Sequence, residues 1–144
     1  MILDSMKDEL SAWNNGSGID LESWIGCVGN FNVAVGYSSI FWPSFHELKG
    51  YILTSNANLE NVENWEASDG ISPIGVEKVI NHLHIADIQH SACEDIAKDK
   101  IIFFGENLKE IYQAKLAWQF PEKPCVVEFF HSANNENLID YQLT

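Results

Sequence analysis

No arginine occurs among the 144 residues, and 21 acidic side chains face only 8 lysines, for a net charge of −13. Arginine is the usual reader of phosphate and guanine, and nucleic-acid binding runs on positive charge. Direct binding of nucleic acid is therefore not expected. The 3 cysteines, Cys27, Cys93 and Cys125, are odd in number, scattered and without a CxxC pair. That pattern removes a disulfide framework or a zinc ribbon and leaves free thiols that behave as small core residues. No apolar run approaches the ~18 residues that span a bilayer. The N-terminal MILDSMKDEL carries acids where a secretory signal needs a basic start and a long apolar middle. Gly26, Gly29 and Gly36 form neither GxGxxG nor a P-loop. Together these absences lead to the expectation of a cytoplasmic protein with no membrane association, no bound metal and no cofactor.

What is present is a globular composition, 46% apolar and 12% aromatic. A chain of this length fits one domain, residues 1–144, and buries roughly two-thirds of its unfolded surface. The excess of carboxylates favours solubility and can steer the molecule toward a basic protein partner.

NNGSG (Asn14–Gly18) is a turn cluster that ends a first helix from about Leu3 to Trp13. Asp20 is placed to cap a second helix, with Leu21, Trp24, Ile25 and Val28 at i, i+3, i+4, i+7. Residues 31–41 allow two readings. Phe31, Val33, Val35 and Tyr37 alternate as in a strand, yet the stretch can also be helical, and Pro43 ends either. SFHELKGYIL reads as a strand, a tight turn at Lys49–Gly50 and a second strand. A short helix follows with Leu59, Val62 and Trp65 on one side. Ser72 then caps a helix with Pro73 at its first position, expected to run to about His90. The longest helix is expected over 100–120, stopped by Pro121 and Pro124. CVVEFFH and LIDYQLT, joined by SANNEN, read as a C-terminal hairpin. The fold class is thus expected to be α+β, with about five helices and a small antiparallel sheet that includes that hairpin.

NHLHIADIQH packs three of the five histidines and one aspartate into ten residues. On a helix at about 100° per residue, Val76, Val79, Ile80 and Leu83 share a stripe that continues through His84, Asp87 and His90. Three readings compete for these positions. One is a core-edge Asp–His pair, with Asp87 at least half buried and hydrogen-bonded. The second is an acid–base centre in which Asp87 orients a histidine. The third is a metal site, although the spacing is not that of H-E-x-x-H. On the last helix Lys115 falls in line with the apolar stripe, where a lysine snorkels or pairs with an acid. A Cys–His nucleophile would need Cys27 or Cys93 near His90 or His131, which spacing does not reveal. In FWPSF, Phe41, Trp42 and Phe45 form either a core plug or, if exposed, an aromatic contact surface.

VINHLHIADI, NLKEIYQAKLAWQFP and LIDYQLT, in this order, resemble segments of a family of small uncharacterised bacterial proteins. That resemblance implies a bacterial, single-domain, cytosolic protein and assigns no role to any residue. In size and acidity the chain also resembles immunity proteins that cap basic toxins. The functional expectation is a non-enzymatic binding or inhibitory protein. The alternative is a small enzyme with an Asp/His acid–base or metal site at the end of helix 73–90.

Overall fold

The computed structural model describes residues 2–130 and the backbone of residues 142–143. Six α-helices lie among them: α1 Lys7–Ser11, α2 Leu21–Val28, α3 Phe31–Phe41, α4 Leu59–Glu66, α5 Pro73–Ile80 and α6 Lys98–Gln119. Most of the starts are dictated locally. The side chains of Asp20, Asn30, Asn58 and Ser72 each accept a bond from the backbone N–H three residues on, which satisfies one of the orphan donors of a first turn. The cap at Asn30 sets residues 31–41 as helix rather than strand, and Pro43 lies just past the end. α1 is shorter than the sequence suggested, because residues Asp4–Met6 before it form a 3-10 turn.

β1 Phe45–Leu48 and β2 Tyr51–Thr54 pair antiparallel, Phe45 opposite Thr54 and Leu48 opposite Tyr51. Lys49 and Gly50 take φ of 52° and 84°. Two consecutive left-handed residues are what a two-residue type I′ hairpin requires. α5 covers the other edge of β2. Glu77 Oε1 accepts the N–H of Ile52 (2.9 Å), and Asn81 Oδ1 accepts that of Thr54 (2.9 Å). Asn81 Nδ2 donates to the Ile52 carbonyl (2.8 Å). Side chains one helical turn apart thus replace a third strand and blunt the edge.

The core lies between this hairpin and α6. Leu108 is wholly buried among Phe45, Ile52, Ile85, Ile101, Leu116 and Val127, and Leu53, Val62 and Val76 are wholly buried outside that cluster. Gly105 is in α6 for a steric reason. A Cβ there would stand 2.1 Å from the Phe129 ring. The cost of a helical glycine, about 1 kcal/mol, is offset by the aromatic ring it admits.

Two expectations need correction. The helix begun at Pro73 ends at Ile80, not near His90. Beyond Asn81 the chain extends, and β3 Leu83–His84 pairs with β5 Gln142–Leu143; a 3-10 turn, Ile85–Ile88, follows. At the other end, most of CVVEFFH is not strand. Gln113 of α6 takes its backbone, accepting from the N–H of Val127 (2.9 Å) and donating to the carbonyl of Cys125 (2.6 Å). Only β4 Phe129–Phe130 pairs with β5, in the sheet order β3-β5-β4. The expected turn SANNEN lies outside the described residues. The class is α+β with antiparallel pairing, and the longer strands are those of the mid-chain hairpin. No described helix is long and apolar enough to cross a membrane.

Candidate functional site

Because α5 stops at Ile80, His84, Asp87 and His90 do not share a helical face. The period-2 geometry of the extended segment instead turns His82 and His84 to one side. Their rings meet edge to face with centroids 4.4 Å apart, and their Nε2 atoms lie 2.9 Å apart. One imidazole donates and the other accepts, so the pair cannot keep that contact with both rings doubly protonated. Burial, and next the nearby His84, hold the His82 imidazole below its ordinary value.

Asp87 lies on the 3-10 turn with its side chain exposed, which corrects the expectation of a half-buried carboxylate. Among the described residues no hydrogen bond joins it to His84 or His90. The exposed His90 uses Nδ1 to accept the N–H of Ala92 (3.0 Å), so any proton on a neutral ring sits on Nε2. Nor do three His, Cys, Asp or Glu side chains gather as a metal site among the described residues.

His90 does line a cavity of about 560 Å³, bounded by α2, α3, the 85–96 segment and the start of α6. Most of its wall is apolar: Leu21, Trp24, Ile25, Ile85, Ile88, Ile96, Ile101 and Phe104. At its polar edge Cys93 Sγ donates to Asp95 Oδ1 (2.8 Å), and Lys100 Nζ donates to the Asp95 carbonyl (2.7 Å). Gln89 Nε2 donates to the Tyr37 hydroxyl nearby. The hydrogen bond to Asp95 pushes the Cys93 thiol up and, with Lys100, holds the Asp95 carboxyl down. Cys93 is therefore kept a thiol, the opposite of what an attacking thiolate needs. The site has the shape of a ligand pocket without an activated nucleophile.

The FWPSF residues divide. Phe45 belongs to the core, and Phe41 packs against Phe104 (5.4 Å between centroids). Trp42 is 49% exposed and leans on Trp118 of α6. The ammonium of Lys115 sits 4.9 Å and 4.8 Å from these two indole rings, in a residue only 8% exposed. Lys115 thus meets aromatic faces where an acid or open solvent was expected, a substitution that cation–π attraction permits.

α4 was read from the sequence only as a short amphipathic helix, and its outer surface was missed. Of Leu59, Val62 and Trp65, only Val62 is buried. Leu59 and Trp65 remain exposed beside Glu60, Glu63, Glu66 and Asp69. No lysine occurs between Lys49 and Lys78 in the chain. Lys49 Nζ contacts Glu66 at 2.6 Å, and the Tyr51 hydroxyl donates to the same carboxylate. Glu60 and Glu63 of α4 and Asp69 just beyond it add three exposed carboxylates to the segment. The signal available in the sequence was composition: every charged residue from Leu59 to Gly70 is acidic. Comparison of the chain with protein-family models, with curated proteins and with solved structures finds no match.

Proposed function

We propose that this chain is a non-enzymatic binding protein that holds a basic protein partner through the outer face of α4, in the manner of an immunity protein. One observation carries the reading: α4 puts a single side chain, Val62, into the core and leaves Leu59 and Trp65 exposed on a segment whose charged residues, Glu60, Glu63, Glu66 and Asp69, are all acidic. Tryptophan is enriched where interfaces concentrate their energy, and the carboxylates would speed encounter with a cationic surface and reject acidic ones. A net charge of −13 supports the same direction of steering. The bacterial, cytosolic setting implied by the segment resemblance forms part of this proposal, and the resemblance itself assigns no activity. The acid–base alternative has one observation in its favour, His90 at the cavity wall, while its other two residues, His84 and Asp87, are not gathered with it.

The test is capture of partners from the basic fraction of a host lysate by the wild type, by Trp65→Ala and by Glu60→Gln/Glu63→Gln. A basic partner that is lost at high salt and weakened by both variants supports the reading. A partner held equally by all three, or a hydrolytic activity that disappears in His90→Ala, contradicts it.

A further inference from the structure

From Ser23 to Phe45 no residue carries a charge, in a chain whose other segments are dense in carboxylates. This stretch forms α3 and all of α2 after Leu21 and Glu22, and neither helix contains a buried residue. A helix that is apolar on every side belongs in an interior. α3 turns Tyr37, Ile40 and Phe41 inward, and the Tyr112 hydroxyl donates to the Ile40 carbonyl (2.8 Å). On the other side Phe31, Val35, Ser38 and Trp42 follow at steps of four, three and four residues, the spacing of a helix-packing seam. Phe31 is 90% exposed, Val35 70% and Trp42 49%. Trp118, 70% exposed and in contact with Trp42, extends the strip onto α6. The serines on this side do not ask for water. Ser38 Oγ donates to the Val35 carbonyl and Ser39 Oγ to that of Gly36, at 2.6 Å and 2.7 Å.

We infer that this strip is the interface between two copies of the chain, packed α3 against α3 about a two-fold axis. Charge selects the occupant. A basic protein would find no carboxylate on α3 to meet, and it would find the Lys115 ammonium against Trp42 and Trp118. Two copies of an acidic chain repel wherever their acids face each other, and the stretch from Ser23 to Phe45 is one where they do not. Area agrees. Phe31, Val35, Trp42 and Trp118 expose on the order of 500 Å², in the upper part of the range reached by the largest apolar patch of a monomer, where such patches are often functional. A two-fold interface that covers this strip on both copies buries about 1,000 Å² in total, the lower limit for a specific interface. A self-complementary patch of this kind closes as a dimer and leaves no open edge for growth. The inference is independent of the reading of α4, whose face lies on another element.

Sedimentation equilibrium of the full chain tests it. The expected mass at micromolar concentration is twice the 16.3 kDa of the chain. Raising salt from about 0.1 to about 0.5 M should tighten the dimer, because screening weakens the repulsion of like-charged copies while apolar contact persists. Val35→Glu and Phe31→Glu should each raise the dissociation constant at least tenfold. Both residues are exposed in the isolated chain, so far-UV circular dichroism and a cooperative melt should confirm that the variants fold. A wild type that stays monomeric at ~100 μM would overturn the inference, whatever the strip then binds, phosphatidylcholine vesicles included. So would a dimer that withstands both variants.

Discussion

The hairpin–α5–α6 half of the molecule and the α2–α3 arm use the same local grammar and reach opposite ends. Both use side-chain caps to begin helices, Ser72 for α5 in one half, Asp20 and Asn30 for α2 and α3 in the other. In the first half, Leu53 and Leu108 are wholly buried, and Glu77, Asn81 and Gln113 satisfy exposed backbone from the side. In the arm no residue of either helix is buried. Caps decide where a helix begins, but a helix of 8 or 11 residues is too short to persist on propensity alone. Packing decides whether it lasts, and the arm has left half of its packing surface unused.

The comparison is broken most severely in the core. Leu108→Ala should cost about 2–5 kcal/mol, as large-to-small core changes do. Phe31→Ala, measured on dilute monomer, should stay within about 0.5 kcal/mol. Denaturant unfolding of both variants reads the contrast. Asn81→Ala comes next. It strands the Thr54 N–H and the Ile52 carbonyl, and leaving such groups unpaired costs about 1–3 kcal/mol; a melt of the variant should drop by several degrees.

A smaller pair separates two aspartates. Asp99 accepts the N–H of Ser5 (2.9 Å) and of Lys100 (2.9 Å), tying the 3-10 turn at the N-terminus to the first turn of α6. The bond from Ser5 is the main reason its carboxyl is held down. Asp99→Ala should therefore cost about 0.5–1.5 kcal/mol, as loss of an intramolecular hydrogen bond does. Exposed Asp87→Ala should cost less than about 0.5 kcal/mol. Sequence spacing pointed to Asp87 as the buried, hydrogen-bonded carboxylate, and thermal unfolding of the two variants decides between them.

The smallest effect is on pH. Burial and His84 lower the His82 pKa on folding, so the unfolded chain takes up the proton first as pH falls. The stability this contributes is complete above the ordinary histidine value of about 6.5 and is lost as pH falls below it. Melting temperatures between pH 7 and 5.5 should decline more in the wild type than in His82→Gln.

What the sequence made readable was local. The Lys49–Gly50 turn, the caps at Asp20 and Ser72 and the span of α6 each depend on a few neighbouring residues. What it hid was set by distant partners. The apolar spacing from Val76 to Leu83 suits a helix, and nothing in that run marks a stop. The alternation His82, Leu83, His84, Ile85 suited a strand equally, and pairing with β5 decided between them. The site assigned to one helical face dispersed for that reason. Gln113 dissolved most of the expected C-terminal strand by occupying its backbone, an interaction that a reading of CVVEFFH alone does not contain. Lys115 was placed correctly on the inward stripe, but its partners, Trp42 and Trp118, come from different elements.

Amide hydrogen exchange as a function of protein concentration tests most directly whether the arm depends on contacts beyond its own chain. The α6 amides around Leu108 should be protected close to the global stability at every concentration. The α3 amides from Val35 to Ser39 should exchange rapidly in dilute protein and gain protection as concentration rises through the dimer transition. Protection in α3 that equals that of α6 and does not change with concentration would contradict the division of the molecule into a self-sufficient half and an arm completed by a second copy.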